Sequence, residues 1–361
     1  MSSQDQIETG IDIHPGRLHP DLVPRWSGQP DRAEVFYATL VEPSTHTGLW
    51  IHHEIVSPSQ DRPIQAFSHG WVAAFCVGEA PVLERFGPLP ARADNLADSI
   101  GVPPGEKRVS YRTELSSLSN AALELGGKSS EPSTANPSFD GSTFKGVAGG
   151  LSWHLSWQDS SPTLWTFPKW AWDRESLPAA QCVPAPAAVF NGAISVRGSK
   201  IKVEGARGAV AHIYGHGSAK RWAWLHGDLG GSDAIEIVAA VSKTPGLDHL
   251  PPLAFIQLRR NGVDWPRDPL VAAALFHTRI GLPAWSVKGT VGRRRLRVEV
   301  NIPRQASVQV GYVDPDGTTA TCTNCEVADA EILLERRRSR WEIEARWTLA
   351  ATAHAEVGSR P

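Results

Sequence analysis

The stretch Tyr214-Gly-His-Gly-Ser-Ala-Lys-Arg-Trp-Ala-Trp-Leu-His-Gly-Asp-Leu229 opens as a glycine-punctuated turn and continues as a strand. Strand side chains alternate between faces, so Trp222, Trp224, His226 and Asp228 share one face, while Arg221, Ala223, Leu225 and Gly227 share the other. Two indoles, an imidazole and a carboxylate are too polar for a plain core and too aromatic for a plain wet surface. Such a face suits the wall of a cavity that holds an apolar molecule beside an acid/base pair. It suits equally a packed aromatic core whose polar pair lies at the strand's wet end, satisfied by ordinary hydrogen bonds.

A related block lies near the other end of the chain. Trp50, Ile51, His52, Glu54 and Ile55 match Trp224, Leu225, His226, Asp228 and Leu229 in chemical type, with His53 against Gly227 as the mismatch. An apolar run follows each block, at residues 71–75 and 237–241. The pattern reads as a duplicated β domain, and 361 residues suffice for two domains. Composition agrees, because 32 glycines, 28 prolines and few long 3.6-residue periodicities favour strands over helices.

A net charge of −2 gives no electrostatic basis for a nucleic-acid partner. No apolar run approaches the ~18–20 residues of a membrane helix. Four scattered cysteines without a secretory apolar segment point to a reducing, cytoplasmic setting. Fourteen tryptophans against one methionine suit sugar platforms, a large aromatic cavity or core packing.

In chain order, residues 1–30 are expected as an extended arm and 31–176 as a first β-barrel domain. The barrel's strands are expected at 35–41, 48–56, 65–77 and, through the alternation of Val109, Tyr111, Thr113 and Leu115, near 109–115. A surface loop or lid is expected over 126–150. Trp153, Trp157, Trp165, Trp170 and Trp172 would floor a pocket or clamp a domain junction. The proline-rich run 177–187 reads as a linker. A second barrel over 188–361 follows, with strands including 253–260, 270–276, 294–300, 307–313 and 331–334. Trp341, Ile343, Ala345, Trp347 and Leu349 are expected inward, and the last strand puts His354 and Glu356 on one face.

His212, Tyr214, His216, His226 and Asp228 form the richest acid/base set. His212 and His216 are four residues apart, but they fall on a strand and its following turn and not on the helix of a zinc motif, so hydrogen-bonded pocket or core groups are preferred and no metal is expected. Cys322-Thr-Asn-Cys325 lacks a second pair and reads as buried thiols. The arginine runs at 293–297 and 336–340 read as solvated turns. Neither a nucleophile elbow nor a phosphate-binding glycine loop occurs, which disfavours nicotinamide, flavin and nucleotide chemistry.

Phe190-Asn-Gly-Ala-Ile-Ser-Val-Arg-Gly198, the polar turn Tyr214-Gly-His216 and the strand Trp222-Ala-Trp224 resemble the two-domain lipocalin-like (calycin) superfamily. That superfamily includes tocopherol cyclase, carotenoid hydratase (hydroxyneurosporene synthase) and the lipocalin-like Diels–Alderases. The resemblance implies an all-β fold of two antiparallel calycin-like barrels side by side, with a pocket for an apolar isoprenoid- or polyketide-like molecule. It implies cofactor-free catalysis by proton donation and substrate folding. His226 and Asp228 would then be the acid/base pair, with Tyr214 or His216 as a second donor. Trp222 and Trp224, with Trp50, His52 and Glu54 of the related block, would bind the ligand, the indoles also attracting developing positive charge. Three classes stay open: a cyclase, hydratase or isomerase; a non-catalytic lipid or pigment carrier; and a carbohydrate-active or carbohydrate-binding protein.

Overall fold

The computed structural model of the chain describes residues 19–91, 137–139 and 142–361. The expected strand at 109–115, residues 1–18 of the arm and most of the 126–150 loop lie outside them.

The first sheet comprises β1 (Arg32–Glu42), β2 (Thr47–Ser57), β3 (Phe67–Phe75), β4 (Val82–Pro90), β5 (Ser138–Phe139), β6 (Thr143–Ala148), β7 (Leu151–Gln158), β8 (Ala179–Val196) and β9 (Ser199–Gly215). The second comprises β10 (Arg221–Gly230), β11 (Asp233–Val241), β12 (Leu253–Arg260), β13 (Val263–Trp265), β14 (Phe276–Arg279), β15 (Ala284–Val291), β16 (Arg294–Asn301), β17 (Val308–Val313), β18 (Thr319–Arg337) and β19 (Trp341–Ser359). Two short α-helices, α1 (Lys169–Asp173) and α2 (Pro269–Ala272), and three 3-10 turns, at Pro20–Leu22, Ala273–Leu275 and Arg304–Ala306, complete the regular structure of the described residues. No described helix is long and apolar enough to cross a membrane.

Both sheets are antiparallel and share one strand order. The first runs β4-β3-β2-β1-β9-β8-β7-β6-β5 and the second β13-β12-β11-β10-β19-β18-β16-β15-β14, with β17 added on β18. In each, a four-strand meander is joined through its first strand to the last strand of the unit. The duplication is therefore present in the topology, but it equates β10 with β1. The two Trp-x-His-x-acid blocks sit on β10 and β2, which are not equivalent strands. The resemblance between those blocks is one of burial environment.

The expected all-β fold of two antiparallel, calycin-like units is present, and among the described residues the strand orders are open paths that hydrogen bonding does not close. One expectation needs correction. The proline-rich run 177–187 is no linker, because most of it is the first half of β8, paired with β9. The first sheet thus extends to Gly215, and the chain passes to the second sheet at 216–220. Proline lacks the N–H a ladder needs and is tolerated at bulges. Accordingly, the β8–β9 register shifts between Cys182 and Ala185 and again between Ala185 and Ala188, around Pro184 and Pro186.

Alternation divides the packing. Phe36, Ala38 and Leu40 of β1 and Leu49, Ile51 and Ile55 of β2 fill the core of the first sheet, joined by Leu22 and Trp26 of the N-terminal arm. Ala223 and Leu225 of β10, with Ile235 and Ile237 of β11, fill that of the second. The opposite faces of the same strands meet each other. Trp50, Trp71 and Phe75 pack against Trp222, Val310 and Tyr312, and Val35, Tyr37 and Ala211 against Trp224. β2 is consequently buried on both faces along its whole length.

Other expectations fare differently. Residues 270–276 are mostly α2 and a following 3-10 turn rather than strand. Cys322 and Cys325 are buried free thiols as read, and their spacing within β18 sends Cys322 to the intersheet layer and Cys325 to the second core. Ile343 is exposed, because a bulge pairs Leu334 with Ala345 but Glu335 with Ile343. The bulge turns Glu344 toward Arg260 and Arg294, at 3.1 and 2.6 Å.

Candidate functional site

Where the two sheets face each other, packing is incomplete and leaves a cavity of about 460 Å3, within the usual range for small-molecule sites. Trp50, His52 and Glu54 of β2 line it from one side, and Trp222 and Trp224 of β10 from the other. These are the five residues expected to contact a ligand. Tyr37, Tyr312, Phe167, Phe255, Gln181 and Glu356 also contribute to the wall.

Local geometry explains the aromatic placement. Trp222 lies opposite Gly358 on β19, and a Cβ at Gly358 would come within 2.0 Å of the Trp222 ring, so glycine is what admits the indole. The Trp222 Nε1–H donates to Glu356 Oε1 at 2.7 Å. Glu356 keeps part of its surface open toward the cavity, and burial raises its carboxyl above the ordinary range despite hydrogen bonds from Trp222 and Cys322. Tyr312 and Cys322, beside it, are pushed well up by burial, so both remain protonated at neutral pH.

Glu54 behaves in the opposite way. Burial would raise it, yet hydrogen bonding and charge from His52 and His69 hold it down at about 2, with His52 Nε2 at 3.6 Å and His69 Nε2 at 3.3 Å. The wall therefore carries one carboxyl raised above the ordinary range and one held below it, the kind of division by environment that separates acid from base roles.

Behind Trp224 lies a buried carboxylate that sequence reading missed, Glu236. It accepts from Trp224 Nε1 at 2.5 Å, lies 2.9 Å from His226 Nδ1, and also accepts from Gln181 Nε2. His226 sits opposite Glu236 on β11 and opposite His354 on β19, its ring 5.8 Å from that of His354.

Residues 148–359 match the family model described as tocopherol cyclase-like. The chain belongs to the tocopherol cyclase-like family. Two uncharacterized proteins of Mycobacterium tuberculosis, strains CDC 1551 / Oshkosh and ATCC 25618 / H37Rv, are each 42% identical to it over 338 residues, covering 94% of this chain and 89% of theirs. An AttH protein of Nitrosomonas europaea has a similar structure, with a TM-score of 0.53 at 12% identity over 96% of this chain and 98% of that one. That likeness shows a shared fold. Kievitone hydratase from Nectria haematococca superposes with a TM-score of 0.49 at 9% identity, covering 96% and 95% of the two chains.

The four residues expected to carry acid/base chemistry lie outside the cavity wall. His226 is fully buried and committed to Glu236. Asp228, although on the same strand face, is bound bidentately by Arg207 at 2.6 and 3.0 Å, and against the push of burial that guanidinium holds it below the usual range. The pair expected from the i,i+2 spacing does not form, because His226 is taken by Glu236 on the adjacent β11 and Asp228 by Arg207 on β9 of the other sheet. Tyr214 faces the first core beneath the guanidinium groups of Arg25 and Arg32. His216 lies in the connection between the sheets, 2.8 Å from Asp31. His212 is buried between Glu34 Oε1 and the Asp21 carbonyl, each at 2.8 Å, and ties the N-terminal arm to the sheet.

Proposed function

We propose that the chain is a cyclase- or hydratase-type enzyme that folds an apolar, isoprenoid- or polyketide-like molecule in the intersheet cavity and protonates it without a cofactor. Membership of the tocopherol cyclase-like family supports the reaction class. The observation that carries the reading is Glu356, a carboxyl with a raised pKa opening on a cavity lined by Trp50, Trp222, Trp224 and Tyr312. In such a site the Glu356 proton passes to one carbon of an alkene, and an oxygen nucleophile, either the substrate's own hydroxyl or water, bonds to the other carbon. The nucleophile's proton returns to the carboxylate. No electrons enter or leave. The indole faces attract the cationic centre between these events, and cavity shape selects the reactive conformer.

The test begins with native mass spectrometry of the purified protein for co-purifying lipid, together with binding of a fluorescent apolar probe. Trp224→Ala should weaken probe binding at least tenfold, as a lost buried aromatic contact does. With a substrate identified, Glu356→Gln should keep binding and lower turnover by about 10²–10⁴. Failure of the wild-type protein to bind any apolar probe would overturn the reading.

The carrier reading has one observation in its favour: the expected His226–Asp228 pair is not made, and neither residue reaches the cavity. A co-purifying apolar ligand that binds tightly and is recovered chemically unchanged would establish it. The carbohydrate reading finds less support, since Trp50, Trp71, Trp222 and Trp224 are buried between the sheets instead of forming an exposed platform.

A further inference from the structure

Tyr37 enters the cavity wall from β1, edge-on to Trp224 with ring centroids 5.5 Å apart and beside the His52 ring. Its hydroxyl oxygen lies 3.1 Å from Gln181 Nε2, and the same nitrogen donates to Glu236 Oε1. These contacts fix the direction of the hydroxyl.

A carboxylate only accepts hydrogen bonds, so the amide end of Gln181 that faces Glu236 must be its NH2 group. That assignment settles the amide flip from chemistry. One amide hydrogen goes to Glu236, and the other points at the Tyr37 oxygen. Tyr37 is thereby made an acceptor toward Gln181, and its own proton cannot point back along the same line. Among the described residues the Tyr37 hydroxyl has no second hydrogen-bonding partner, and the ring borders the cavity. Glu236 is itself held by Trp224 Nε1 and His226, so the orientation is enforced from a fully buried base.

We propose that Tyr37 is the polar anchor of this cavity, donating its hydroxyl hydrogen to an acceptor oxygen, a carbonyl or ether, on an otherwise apolar ligand, and that Gln181 and Glu236 are its positioning residues. The inference rests on the cavity being a ligand site, as proposed above. It adds that the ligand carries an oxygen at the end lying against β1 and β8, and it does not depend on whether chemistry follows. Burial beside Glu236 and Glu356 holds the phenol well above its ordinary value, so it stays a donor throughout the working pH range. A hydrocarbon would leave that donor unmatched in a desolvated site, and this discriminates against it.

The experiment compares two fluorescent probes on the full chain: diphenylhexatriene, a hydrocarbon, and a dialkylaminonaphthyl ketone, whose emission shifts to the red when its carbonyl accepts a hydrogen bond. Tyr37→Phe should weaken the ketone about tenfold and abolish its red shift while leaving the hydrocarbon's affinity unchanged or several-fold tighter. Gln181→Met, which keeps volume but frees the hydroxyl to turn, should give a partial loss in the ketone channel only. That arm also serves if Tyr37→Phe folds poorly. Equal losses for both probes would show that Tyr37 only packs and would overturn the anchor while leaving the cavity reading intact. A wild-type protein that binds neither probe would overturn both.

Discussion

Glu356 is subject to two opposed demands: its position on β19 between Trp222 and Cys322 keeps it out of bulk water, and its carboxyl would ionise there if it could. Burial raises its pKa in the folded chain above the 4.5 of an unfolded glutamate. Between 4.5 and the raised value the folded state binds more protons than the unfolded one, so this residue's contribution to stability is complete below 4.5 and is lost as pH rises. Glutamine can still accept from Trp222 and cannot ionise. Glu356→Gln should therefore gain melting temperature relative to wild type on going from pH 4.5 to pH 8. A difference that stays flat over that range would show that the carboxyl is not perturbed. Sequence reading placed His354 and Glu356 on one face but gave Glu356 no role, because a glutamate near the C-terminal end of an alternating strand looks solvated until the facing sheet is known. The indoles were legible, since tryptophan on both blocks signals burial whatever lies opposite. His226 and Asp228 misled for the complementary reason, as the partners that claim them, Glu236 and Arg207, come from other strands.

At the scale of elements, the site depends on how closely β10 and β19 approach. The Trp222 indole lies over Gly358, where a Cβ would fall 2.0 Å from the ring, a contact that forces either the strand or the indole to move. Gly358→Ala should lower the melting temperature and weaken apolar-probe binding together, and adding Trp222→Phe, a smaller ring, should recover part of the stability. Recovery of binding without recovery of stability would separate the two and place the strain elsewhere. Alternation made most strands visible in the sequence, including β1, β2, β10 and β16. It failed where the ladder is irregular: prolines at two register shifts disguised β8 as a linker, and the bulge near Glu335 turned Ile343 outward. Bulges and proline positions depend on the partner strand, and a single strand's pattern does not contain that information.

Over the whole molecule, stacking two sheets face to face buries polar groups from both, and their combined titration sets the acid limit of the fold. Burial holds His53 and His354 neutral down to about 3, against 6.5 for the unfolded chain. Between these values the unfolded state takes up protons the folded state refuses, so each histidine withdraws about 1.4 kcal/mol of stability per pH unit as pH falls. Glu326 and Glu356, both raised by burial, act with the opposite sign from 4.5 upward, favouring the fold as pH falls toward 4.5. Over pH 4.5–6.5 the two glutamates therefore oppose the two histidines, and His354 and Glu326, 2.7 Å apart, titrate as a pair. Below 4.5 the glutamates are protonated in both states and stop compensating, while Glu54, held at about 2, begins to add its own loss. Three groups then act in one direction, a slope of roughly 4 kcal/mol per pH unit, which is steep against a total stability of about 5–15 kcal/mol. Thermal melts should show a smaller change between pH 6.5 and 4.5 than between 4.5 and 3, where they collapse. His354→Gln should make the collapse shallower, because one of the three groups is then absent. A protein whose melting temperature is unchanged at pH 3.5 would contradict the burial of these groups between and within the sheets.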